Sequence, residues 1–77
     1  MMVTVQEDSH RGKVCKALST TNWMTCYDVA DAIGYSVEGT SSVLSDVYRA
    51  EYVERREVRN NQSVEYEYQL KSNVSVQ

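Results

Sequence analysis

The 77 residues predict a small α+β domain: three short helices, then a two-stranded β-hairpin, with a short strand before the second helix. Three observations carry this. Between Met24 and Val53, two helix-period apolar patterns stand on either side of one short turn that contains Gly34. From Ser63 to Leu70 the chain alternates, with Val64, Tyr66, Tyr68 and Leu70 on one face and Glu65, Glu67 and Gln69 on the other. That period of two marks a half-buried strand. Finally, Arg59-Asn60-Asn61-Gln62 separates it from the extended, charged run Val53 to Val58. Asn tolerates the left-handed backbone of tight turns, so the two runs form a hairpin.

Taken in order, residues 1–9 read as a flexible N-terminal segment, despite the short Val3–Val5 alternation. A first helix runs from Ser9 or His10 to about Ser19, with Val14, Cys15, Ala17 and Leu18 at helical spacing and Gly12 weakening its start. Thr20 to Asn22 is a linker, and Trp23-Met24 an extended pair. Thr25, with Asp28 three residues on, caps a second helix whose inner face is Val29, Ala30 and Ile33. Gly34 ends it, because glycine adopts positive φ cheaply. Ser36 caps a third helix, whose apolar face is Val37, Thr40, Val43, Leu44, Val47 and Tyr48. Two helices joined in this way make a helix-turn-helix. The domain proper spans 10–71, and 72–77 is a polar tail. With no Phe and six tyrosines, the core is expected to lean on Tyr and Trp23, with Tyr27 and Tyr35 as candidates for exposure.

Composition limits the function. No apolar run nears the ~20 residues needed to span a bilayer, so the reading is a soluble, cytoplasmic protein without a membrane partner. Cys15 and Cys26 form no CxxC, and His10 stands alone, so neither a metal site nor a cofactor is expected. No nucleophile–base pair and no glycine-rich phosphate loop is present, so an enzyme is not expected either. The net charge of −3 weighs against a phosphate-binding partner, although its distribution is uneven.

The order of elements, with MTCYDVADAIGYS as helix entry, helix and turn, Tyr52-Val53-Glu54-Arg55 as the exit from the third helix, and YEYQLK as a last strand, resembles the winged helix-turn-helix domains of prokaryotic transcription regulators of the MarR and ArsR kind. The resemblance covers about Lys13 to Lys71. It implies duplex DNA as partner, the third helix in the major groove and the hairpin as a wing; a homodimer is expected because one module gives limited affinity and half-sites are usually read by two. Two departures stand out. Glu51 occupies a position that is often Gly, and the third helix offers serines and the acids Glu38 and Asp46 where Arg, Lys, Gln or Asn is usual.

On that model, Ser36, Thr40, Ser41, Ser42 and Ser45 supply hydroxyls to bases or phosphates. The helix N-terminus adds free N–H groups. Arg49, Arg55, Arg56 and Arg59, with Asn60 and Asn61 at the hairpin tip, form the basic group. Arginine is favoured where a wing meets a minor groove. Arg59 is the strongest candidate, since it stands at the tip away from carboxylates. The plainer reading is a solvated surface with Glu51, Glu54 and Glu57 pairing the arginines. The alternative function is a protein-interaction module that presents the acidic, hydroxyl-rich third helix to a protein partner.

Overall fold

The computed structural model describes residues 2–60 and 63–77. Its elements run β1 (Val3–Val5), α1 (His10–Ala17), β2 (Met24–Thr25), α2 (Cys26–Ile33), α3 (Val37–Arg49), β3 (Val53–Asn60), β4 (Ser63–Leu70) and β5 (Val74–Val76). The protein is therefore α+β.

The helix boundaries follow from capping chemistry. The Ser9 hydroxyl accepts from the Gly12 N–H and donates to the Gln6 carbonyl. Thr25 and Asp28 form a reciprocal capping box at α2, each side chain accepting from the other's backbone N–H at 3.1 Å. Gly34 leaves α2 with φ 71°, and the Ser36 hydroxyl accepts from Gly39 N–H to open α3. At the far end of α3, Glu51 N–H donates to the Tyr48 carbonyl and Tyr52 N–H to the Val47 carbonyl, both at 3.0 Å. This pattern requires a left-handed residue at Glu51, whose φ is 65°. Here lies the reason that glycine suits the position.

Two sheets form. In one, β4 is central and pairs antiparallel with β2 on one side (Met24 opposite Tyr68) and β3 on the other (Val53 opposite Leu70, Asn60 opposite Ser63). The other joins the two ends of the chain, with β1 parallel to β5 and Val3 opposite Val74. The N-terminal segment and the C-terminal stretch, read from sequence as flexible and as a polar tail, thus contribute paired strands with Val5 and Val74 buried. Gly12 permits this: a Cβ there would overlap the Gln6 carbonyl oxygen, so only glycine lets the chain leaving β1 lie on α1.

The core is aliphatic. Val14, Cys15, Val29, Leu44, Val47 and Val53 are sealed from solvent, joined by Val5, Leu18, Leu70 and Val74. Tyr68 is the one fully buried tyrosine, and Tyr27, Tyr35, Tyr48 and Tyr66 are exposed. The expectation that tyrosines fill much of the core is corrected: small branched side chains suffice between three short helices and two small sheets. Both cysteines are free thiols. No helix among the described residues is long and apolar enough to cross a membrane.

Candidate functional site

The candidate site lies where α3 faces the hairpin. Along α3 the 3.6-residue period turns Val43, Leu44 and Val47 inward and leaves Ser41, Ser42, Ser45 and Arg49 toward the surface. Thr40 belongs with the inward set. It is sealed from solvent and its Oγ1 has no hydrogen-bond partner, so it is corrected from a contact residue to a core residue. The Ser36 hydroxyl is engaged as the cap of α3, which leaves other N–H groups of the first turn facing outward.

Ser41 sits against the hairpin. Together with Thr25, Cys26 and Tyr27 it forms one wall of a shallow cleft, and Val64, Tyr66 and Tyr68 form the other. The Cys26 thiol donates to the Val37 carbonyl at 3.4 Å. Burial raises the pKa of this thiol, and the Ser41 hydroxyl partly offsets the rise by hydrogen bonding. Ser42 and Ser45 occupy the neighbouring strip, fully and partly exposed respectively.

Register fixes which hairpin residues share this side. Directly opposed residues of antiparallel strands project to the same face. Arg55 is opposite Tyr68, Glu57 opposite Tyr66 and Arg59 opposite Val64, so these side chains lie on the face that carries the cleft wall. Arg56, opposite Glu67, lies on the reverse face.

The four arginines have different surroundings. Arg49 pairs with Asp46 at 3.0 Å, one turn back on α3. Arg56 binds Glu67 at 2.7 Å, with its guanidinium 4.4 Å from the Trp23 ring. Arg59 lies 3.5 Å from Glu57, two residues earlier on the same face, with its side chain 83% exposed. The expectation that Arg59 stands clear of carboxylates is therefore corrected, since period-two geometry places Glu57 beside it. Arg55 has no carboxylate partner among the described residues. Its guanidinium lies 4.0 Å from the Tyr48 ring and 4.3 Å from the Tyr66 ring. Asn60 ends β3 opposite Ser63, and Asn61 lies outside the described residues.

Electrostatically the face is mixed. Arg55 and Arg59 share the hairpin face with Glu57, and Arg49 on α3 is paired with Asp46. Exposed Tyr27, Val64 and Tyr66 add apolar surface along the cleft, and exposed Tyr48 adjoins it through Arg55. Sequence reasoning did not single out these four side chains as one patch: strand alternation places Val64 and Tyr66 on one face, and the packing of α2 and α3 brings Tyr27 and Tyr48 to it. Among the described residues no group of three His, Cys, Asp or Glu converges as metal ligands would.

No family model matches the chain, and neither the curated proteins nor the solved structures contain a match to it.

Proposed function

We propose that the chain is a winged helix-turn-helix module that binds duplex DNA as a small transcription regulator. In this reading α3 enters the major groove and the β3–β4 hairpin is the wing. The observation that carries it is positional. A capped helix with Ser41, Ser42 and Ser45 at its surface lies beside a hairpin whose near face ends in the highly exposed Arg59. The strand order β2-β4-β3, behind a helix-turn-helix, agrees with it. Serine hydroxyls bond base edges or phosphates, and the α3 N-terminus suits a phosphate.

The charge around the site defines the binding mode. In this reading Arg49 and Arg59 meet phosphates, and each competes with a neighbouring carboxylate. One copy then neutralises about two phosphates, which gives a slope of roughly −2 in log affinity against log salt. A single module of this kind binds weakly, so the reading requires two copies on a two-fold site. Mobility shift against the DNA upstream of its own coding region, at two salt concentrations, tests the proposal. Wild type should shift the duplex at low salt, and Arg59→Ala should weaken binding and lower the slope by about one per bound copy. Absence of any shift at low salt, with Arg59→Ala indistinguishable from wild type, would remove the proposal.

A second reading has its own observation. The exposed Tyr48 and Tyr66 beside Arg55 combine the residue types that dominate protein interfaces. In that case the same face docks a protein, and Tyr66→Ala would abolish the complex while Arg59→Ala would not.

A further inference from the structure

The structure assigns Arg55 a positioning role: stacked between Tyr48 of α3 and Tyr66 of β4, it sets the inclination of the hairpin against α3. This deepens the DNA reading and rests on it for the consequence in binding, but the role itself is a property of the free protein. Three observations converge. The guanidinium lies within 4.0 and 4.3 Å of two ring centroids that belong to different elements. No carboxylate among the described residues neutralises it, so its partners are the two rings. Finally, β3 and β4 extend beyond the helices: Tyr68 and Leu70 are buried near the body, whereas Tyr66 and Val64 on the same face are exposed. Core packing therefore fixes the base of the hairpin, and the Tyr48–Arg55–Tyr66 stack is the next contact outward that ties it to α3.

On the reverse face Arg56 lies over Trp23 and bonds Glu67. Consecutive arginines thus grip the hairpin from both sides. The Arg56 contacts join β3 to β4 and to the segment before β2, whereas the Arg55 stack reaches α3. The distance from the α3 serines to Arg59 at the tip is the span over which a duplex would be engaged. Arg55 acts on that span without occupying the contact surface itself.

Chemistry distinguishes positioning from direct contact. A planar guanidinium stacks on two rings, whereas an ammonium keeps the charge and loses the stack. A phosphate contact therefore tolerates Arg55→Lys, and a stacking contact does not. The first measurement needs no DNA: residual dipolar couplings of backbone amides in the free 77-residue chain. In wild type, α3 and the hairpin should fit one alignment tensor in their present orientation. In Arg55→Lys and in Tyr48→Leu the hairpin couplings should depart from that fit, while Tyr48→Phe, which retains the ring, and Arg56→Lys should leave it intact. The second measurement is affinity for the upstream duplex. Arg55→Lys should lose roughly three- to tenfold, the scale of one or two such stacks. Arg59→Ala should then cost less in the Arg55→Lys background than alone, because a hairpin no longer held at its angle has already lost the tip contact. Unchanged couplings in both Arg55→Lys and Tyr48→Leu would overturn the positioning role, as would full affinity of Arg55→Lys for the duplex. If the wild type binds no duplex, the DNA reading falls while the couplings still decide the role of Arg55.

Discussion

Glu51 and Gly34 make a matched pair that tests how backbone geometry contributes to stability. Both close a helix with positive φ, 65° at Glu51 and 71° at Gly34. An L residue in the left-handed region is disfavoured by roughly 1–2 kcal/mol, except where Asn or Asp relieves it. Glycine avoids that cost but loses about 0.5–1 kcal/mol through the greater freedom of its unfolded chain. Glu51→Gly should therefore stabilise the protein by roughly 0.5–1 kcal/mol. A domain of this size shifts by about 4–8 °C per kcal/mol, so the midpoint should rise by roughly 2–8 °C. Gly34→Ala is the converse. A Cβ there meets nothing within 4 Å, so the change isolates the backbone term and should destabilise by about 1 kcal/mol. Glu51→Ala removes the exposed charge but keeps the φ problem, and should stay within about 0.5 kcal/mol of wild type. Urea and thermal unfolding followed by circular dichroism read all three. If Glu51→Gly were neutral while Glu51→Ala stabilised, the carboxylate and not the backbone would be the source of strain, and the reasoning would fail.

Other consequences follow from single residues. Thr40→Val replaces a sealed hydroxyl that has no partner, and should stabilise by about 1 kcal/mol without changing affinity for DNA; a loss of stability in urea would show that the hydroxyl is satisfied. Gly12→Ala sets two effects against each other. Helix propensity alone favours Ala by about 1 kcal/mol, but the clash with the Gln6 carbonyl should win, detaching β1 and speeding amide exchange at Val5; a variant more stable than wild type would contradict the packing. Burial raises the Cys15 thiol pKa to about 11. The unfolded chain gives up this proton first as pH climbs past 9, so the stability owed to the buried thiol is complete below about pH 9 and is lost toward pH 11. Unfolding curves across that range should show the decline, and Cys15→Ala should flatten it.

Much of the fold was legible because local chemistry specified it. Thr25 with Asp28, Gly34 and Ser36 punctuate the chain where the helices begin and end, and the hairpin follows from clean alternation in β4. The β1–β5 sheet was not legible. Each strand has three residues, and the pairing joins opposite ends of the chain, so no local signal connects Val3 with Val74. Thr40 shows a different limit. Its spacing from Val43, Leu44 and Val47 places it on the inner face, yet its hydroxyl suggests a contact residue, and the period is the better guide. Alternation in β4 identified a face but not what covers it, which is why Tyr66 and Val64 emerge exposed where Tyr68 and Leu70 are buried. Ion pairing was visible only as interleaved charge, and register decides that Arg56 meets Glu67 while Arg55 meets two rings.

The central claim is that α3 and the hairpin tip together engage a duplex. Titrating labelled protein with duplex DNA at low salt, and following backbone amide shifts, tests it most directly. The account predicts that Ser41, Ser42, Ser45 and Arg59 shift together at one midpoint, while α1 and the β1–β5 sheet stay still. Shifts confined to α1, or none at saturating duplex, would contradict it.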